Sequence, residues 1–154
     1  MSGRFFIKTT GQEETISAGR RFGEKFRGNE VITLSGPLGA GKTSFVKGVG
    51  LALGIVPERI SSPTFILRAD YAGKFPLAHV DLYRLDDPQE ARTLGLFDQE
   101  ENRTVLVIEW PEKAKDVLPA DRIEIEFSVE GEDKRKLDFT TRGNSYRYLL
   151  TETV

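Results

Sequence analysis

Cysteine is absent from the 154 residues, and histidine occurs once, at position 79. The first absence excludes disulfides, thiol nucleophiles and cysteine-ligated zinc or iron–sulfur centres; the second argues against a metal site built from imidazoles. An excess of basic charge is also missing. With 22 Lys and Arg against 24 Asp and Glu, the net charge is -2. The chain as a whole therefore lacks the field that steers proteins onto nucleic acid or anionic lipid, and any RNA contact must be local. The apolar stretch GVGLALGIVP, from Gly48 to Pro57, carries three glycines and is about half of the roughly 20 residues that a membrane-spanning helix needs. At the N-terminus, MSGRFFIKTT reaches Lys8 before any apolar run of signal-peptide length, so a cytoplasmic protein is expected. No low-complexity tract or linker interrupts the chain, and ten Phe are spread along it. One domain over residues 1–154 is expected.

What is present has the order of an α/β protein. RFFIKTT reads as a short strand, and Thr10 with Glu13 forms a T-x-x-E capping box opening a helix to about Phe26, with Ile16, Phe22 and Phe26 inward. VITLS is a β-branched strand that runs directly into GPLGAGKT, and SFVKGVGLALG continues as a helix with Val46, Val49 and Leu53 inward and Gly54 as its cap. Ile66–Tyr71 and Phe75–Tyr83 read as a hairpin, and Asp87-Pro88 opens a helix over DPQEARTLG. TVLVIEW has four consecutive apolar residues, as in a strand buried on both faces, and Pro111 starts a helix over EKAKDVL. RIEIEFSV and KLDFTT alternate as an antiparallel pair. The fold class is therefore α/β, a P-loop NTPase fold with a mainly parallel core sheet flanked by antiparallel strands and helices.

GPLGAGKT matches G-x-x-x-x-G-K-[ST] at Gly36, Gly41, Lys42 and Thr43, with Gly39 as a third glycine. Residues without Cβ let backbone N–H groups turn toward a phosphate chain, and the following helix adds its positive end. A glycine-rich turn without ligand is the plain alternative, but the strand before and the helix after are the context the motif requires. Nucleotide is thus expected along Pro37, Leu38, Gly39, Ala40, Gly41, Lys42, Thr43 and Ser44. Lys42 would bridge the β- and γ-phosphates, and the Thr43 hydroxyl would bind Mg²⁺. Hydrolysis also needs carboxylates, and two stand at strand ends: Asp81 closes LAHVD and Glu109 closes VLVIE. Glu109 is assigned to Mg²⁺, directly or through water, and Asp81 to the metal shell or the attacking water, a division that spacing leaves open. Strand alternation sends Trp110 to the side opposite Glu109. His79 stands alone and reads as structural, Arg84 reads as solvated by default, and spacing alone makes SSPTF a turn before a strand.

Nothing after the glycine loop matches the N-K-x-D segment by which regulatory GTPases read guanine, and Asp70-Tyr71-Ala72-Gly73 falls on the hairpin turn, where Asp and Gly are common for backbone reasons. A small-molecule or nucleoside kinase is the alternative reading. It would need an arginine-rich lid, whereas Arg84, Arg92 and Arg103 are scattered. A regulatory ATP-binding subunit is a third. The cluster Arg20, Arg21, Lys25 and Arg27 reads as a solvated helix face rather than a tRNA contact.

GPLGAGKTSFVKG, SSPTF, HVDLYRL and IEWPEK, in this order and at these spacings, resemble the TsaE (YjeE) family, small bacterial P-loop ATPases of threonylcarbamoyladenosine synthesis in tRNA. The resemblance runs from about Thr10 to Lys113. It implies ATP and Mg²⁺ as cofactors, TsaB and TsaD as protein partners, tRNA contacted indirectly through that complex, and no membrane. It implies catalysis by Lys42, Asp81 and Glu109, metal binding by Thr43 and Glu109, and Thr10 and Trp110 as further nucleotide contacts. Ser62 and Thr64 would belong to a switch segment. Pro37 departs from an acidic residue common in the family, outside the Gly-Lys-Thr core. The chain beyond Lys113, including Arg135–Thr141, follows none of these motifs.

Overall fold

The computed structural model of the protein describes residues 4–62, 67–99 and 103–150. Apolar runs bounded by glycine or proline become strands, and the amphipathic segments between them become helices. In chain order these are β1 (Arg4–Thr10), α1 (Gln12–Gly23), β2 (Val31–Ser35), α2 (Lys42–Ala52), β3 (Arg68–Tyr71), β4 (Leu77–Asp81), α3 (Gln89–Thr93), β5 (Val105–Glu109), β6 (Arg122–Val129) and β7 (Lys134–Arg142). They form a mixed α/β fold around one seven-stranded sheet, ordered β1-β7-β6-β2-β5-β4-β3. The centre is parallel, since β6, β5 and β2 run together and β4 joins β5 the same way. Both margins are antiparallel: β3 pairs with β4, and β7 lies between β6 and β1. This is the expected layout of a parallel core with antiparallel flanks.

The pleat sorts the core by parity. Ile32, Leu34, Leu77, Val105 and Val107 belong to the apolar cluster that α1 and α2 complete. On the other face, Val31, Ala78, Val80, Leu106 and Ile108 pack with Ala91 of α3 and with Ala114. All five residues of β4 and of β5 are buried, which accounts for the near-continuous apolar character of those strands. Among the described residues, no helix is long and apolar enough to cross a membrane.

Local structure departs from expectation in three places. Thr10 remains in β1, opposite Lys134, so the start of α1 moves on to Gly11, at φ 84° and without a side-chain cap. Glu14 rather than Glu13 reaches back, accepting the Thr10 amide at 2.8 Å. The helix stops at Gly23, although Phe26 is still buried. The segment after Pro111 is a 3-10 stretch, Pro111–Val117, broken at Ala114 with φ -136°, and not an α-helix. By contrast α2 ends on the expected glycine. The Gly54 amide donates to the Leu51 carbonyl and the Ile55 amide to Gly50, the paired bonds that close a helix at a left-handed glycine.

The two helices on the Leu34 face touch through their backbones. A Cβ on Gly19 would lie 2.2 Å from the Phe45 carbonyl oxygen, and one on Gly48 would lie 1.9 Å from that of Ile16. Only glycine allows that approach. Gly48→Ala is expected to force α1 and α2 apart and cost about 3 kcal/mol, the upper end for overpacking, measured by denaturant unfolding against the parent.

Candidate functional site

Strand register brings the two acidic residues together. Asp81 of β4 lies opposite Glu109 of β5, and Glu109 lies opposite Leu34 of β2. All three share the parity of Val107 and Leu77, so both carboxylates stand on the face covered by α2, at the carboxyl end of the parallel strands. There the chain leaves β2 through Gly36 and turns back into α2. Gly39 and Gly41 both have positive φ, 77° and 100°, and Gly41 is the N-cap. The Ala40 amide closes the turn onto the Pro37 carbonyl at 3.2 Å. Lys42, Thr43 and Ser44 form the first turn of α2, whose amides have no carbonyl one turn back to accept them. Such an end attracts anions.

An open cavity of about 460 Å³ occupies this corner, and Lys42, Thr43, Asp81, Glu109 and Trp110 line it. Leu38, Gly39, Gly41, Ser44, Ser62, Tyr83 and Arg84 complete the lining. Lys42 Nζ donates to the Gly36 carbonyl at 2.6 Å and lies 3.6 Å from the centre of the Trp110 ring. Burial lowers the Lys42 pKa, opposed by the charges of Glu109, Glu112 and Asp81. Asp81 is shifted upward, first because burial removes its water and further because Glu109 repels its charge, while the Tyr83 amide, donating at 2.9 Å, acts in the opposite sense. Thr43 Oγ1 and Ser62 Oγ are 2.8 Å apart. A second cavity of about 250 Å³ borders the loop, between Gly11, Gln12 and Thr15 on one side and Asp133 and Arg135 on the other.

Most of the expected residues converge. Leu38, Gly39, Gly41, Ser44 and Ser62 join Lys42, Thr43, Asp81, Glu109 and Trp110 around the larger cavity. Ala40 is buried beneath the loop, and neither it nor Pro37 lines that cavity. Thr10 stands apart from it, next to the Gly11 and Gln12 that line the smaller one. Thr64 lies outside the described residues. Trp110 corrects the alternation argument. Its φ of 58° and ψ of 49° end the strand in a left-handed turn, which swings the indole toward Lys42 instead of away from Glu109.

Two participants carried no readable signal. His79 is fully buried, and its Nε2 lies 2.5 Å from Glu109 Oε2, so it does not stand alone. The two are diagonal neighbours on one face, since His79 opposes Val107, and only the register reveals them. Arg135 of β7 donates to the Gly39 carbonyl at 3.1 Å, tying the β6–β7 hairpin to the loop across 96 positions of sequence.

These features define a class: a mixed α/β protein in which a glycine loop, opening a helix, faces two carboxylates at the carboxyl edge of parallel strands. Known proteins narrow it. The family model described as threonylcarbamoyl adenosine biosynthesis protein TsaE matches residues 9–137. The tRNA threonylcarbamoyladenosine biosynthesis protein TsaE of Bacillus subtilis is 37% identical over 146 residues, covering 94% of this chain and 90% of that protein. Its namesake in Treponema pallidum is 38% identical over 125 residues, or 81% and 92% of the two chains. The crystal structure of Bacillus subtilis YdiB superimposes with a TM-score of 0.77 at 31% identity, covering 97% of this chain and 93% of that one. The chain belongs to the TsaE family, whose members are named for threonylcarbamoyladenosine synthesis in tRNA.

The upward shift of Asp81 has a measurable sign. A carboxyl raised above its usual 3.8 disfavours the fold once it ionises, so its penalty is absent below about pH 3.8 and complete above the raised value. Asp81→Asn, whose carbonyl can still accept the Tyr83 amide, is expected to raise Tm at pH 7. That gain should shrink toward pH 4 in a thermal melt series of the protein without nucleotide.

Proposed function

We propose that the protein is a P-loop ATPase, forming one catalytic unit, that acts with TsaB and TsaD in threonylcarbamoyladenosine modification of tRNA. The observation carrying this reading is the single cavity in which Lys42 and Thr43, at the start of α2, face Asp81 and Glu109. The fit to Mg²⁺-ATP is chemical. Thr43 and Glu109 offer hard oxygen ligands, and Mg²⁺ is commonly held by one or two carboxylates together with phosphate oxygens. Among the described residues, no three His, Cys, Asp or Glu side chains cluster as a metal site of their own, in keeping with a cation held jointly with its nucleotide. Bound there, Mg²⁺ would neutralise phosphate charge.

The remaining roles belong to side chains. Lys42 would place its charge beside the terminal phosphates, and the N–H groups of Lys42, Thr43 and Ser44 would donate to the rest of the phosphate chain. Asp81, beside Glu109, orients the attacking water or completes the metal shell through water. Leu38 and Tyr83 flank the cavity as exposed apolar side chains, a surface suited to a protein partner. The smaller cavity beside the loop would take the base, with the Arg135 guanidinium as a flat surface for stacking. Thr43 can give a lone pair to the metal while donating its proton to Ser62, which couples the phosphate site to a residue of the expected switch. A change in that contact on hydrolysis would change affinity for the partners. Arg84 is the one arginine lining the cavity among the described residues, which disfavours the arginine-rich lid of a kinase.

Phosphate release should be slow for the chain alone and rise when cognate TsaB and TsaD are added. Lys42→Ala should abolish nucleotide binding, followed by the emission of Trp110, the one tryptophan. Glu109→Ala should bind nucleotide yet lose about 100-fold in the stimulated rate. Stimulation by a small acceptor that becomes phosphorylated, with no response to the proteins, would overturn this reading in favour of a kinase.

A further inference from the structure

We propose that His79 is a positioning residue for Glu109: its Nε2–H donates to Oε2 and commits that oxygen, so that Oε1 is the one presented to the cavity. The inference deepens the ATPase reading and rests on the role given there to Glu109. Three observations carry it. His79 is completely buried and lines none of the cavities around the loop, so it acts on nothing but its neighbours. Its Nε2 lies 2.5 Å from Glu109 Oε2, and among the described residues this is the only side-chain donor that the Glu109 carboxylate has. Its Nδ1 is buried with no hydrogen-bond partner among the described residues.

That last fact selects the tautomer. An imidazole with its proton on Nδ1 would bury an unpaired N–H and set a bare nitrogen lone pair against a carboxylate oxygen. With the proton on Nε2, the short contact becomes a charge-assisted hydrogen bond and only an acceptor stays unpaired, the milder omission. A merely space-filling residue at this point of β4 would be better served by an apolar side chain, because burying an unpartnered ring nitrogen is unfavourable. The imidazole therefore earns its place through its bond to Glu109. Groups of this kind, which orient a metal-binding carboxylate without touching the metal, typically change affinity or activity about 10–100-fold when removed.

Because His79 is the sole histidine, the ring ¹⁵N spectrum of the labelled protein without nucleotide contains one imidazole and needs no assignment. The expected pattern is a protonated Nε2 and an unprotonated Nδ1, perturbed in Glu109→Ala; a protonated Nδ1 beside a bare Nε2 would overturn the proposal. In parallel, ATP hydrolysis with TsaB and TsaD would be compared for the parent, His79→Leu, His79→Gln and Glu109→Ala. Loss of about tenfold or more in kcat for His79→Leu is expected, with KM for ATP within about twofold. Glutamine, whose amide can also donate to Oε2, should recover most of that loss. A leucine variant at the parental rate, beside a Glu109→Ala that has lost activity, would overturn the positioning role and leave that of Glu109 standing. A glutamine variant as impaired as leucine would reduce His79 to packing. Glu109→Ala at the parental rate would overturn the role of Glu109 itself. Should His79→Leu not fold, the spectrum and the glutamine variant still decide.

Discussion

The backbone contact of α1 with α2 sets where the site can be. Gly19 lies against the Phe45 carbonyl and Gly48 against that of Ile16, so α2 is held close to α1 along its length. Its first turn then has little freedom relative to β2, to which the six positions of the glycine loop, 36–41, connect it. Underneath, Leu34, Glu109 and Asp81 are level across three parallel strands. The carboxylates and the helix start are thus positioned by independent elements, one by ladder hydrogen bonds and the other by close helix packing. Precision in such a site comes from rigid elements more than from the loop between them.

The same arrangement is electrostatically unfavourable to the fold by itself. Burial raises Asp81 and lowers Lys42, so each is shifted toward its neutral form, while the attraction between Lys42 and the two carboxylates opposes that trend. Lys42 finds partial relief in the Gly36 carbonyl and the Trp110 ring, contacts that a flexible ammonium can exchange for others. A corner that gathers buried charge of both signs costs the fold stability, which the attraction between those charges offsets only in part.

Much of this was legible in the residues. Strand, glycine loop and helix followed from VITLSGPLGAGKT, because loop chemistry is local and glycine is its marker. Asp81 and Glu109 were found because each closes a buried run, where an acid has no packing reason to be. Trp110 was misread because alternation applies only while the strand continues, and nothing in IEWP announces a left-handed residue at a bulky side chain. His79 and Arg135 were missed for another reason. Their partners lie 30 and 96 positions away, and such pairing depends on register and strand order, which no single motif encodes. The expected capping box did not form: Thr10 stayed in its strand, Gly11 opens the helix without a side-chain cap, and only the backward reach of an acid survives, from Glu14 to the Thr10 amide.

Two buried glutamates, near opposite ends of the parallel strands, differ in how far their carboxylates are satisfied. Glu30, just before β2, takes the amides of Arg27 and Gly28 at 2.5 and 2.8 Å and the hydroxyl of Tyr148. Arg27 in turn covers the Tyr148 ring at 3.9 Å, and the tyrosine hydroxyl is pushed well above its usual pKa by burial and by Glu30. That carboxylate has its acceptor capacity largely used, and it fastens the C-terminal turn to the sheet. Glu109 is buried to the same degree, yet its carboxylate receives one side-chain donor among the described residues and borders an open cavity. Burial alone therefore does not distinguish the two. What differs is saturation: a carboxylate surrounded by donors has its acceptor capacity used within the fold, whereas one held by a single imidazole has capacity left over at the edge of a cavity.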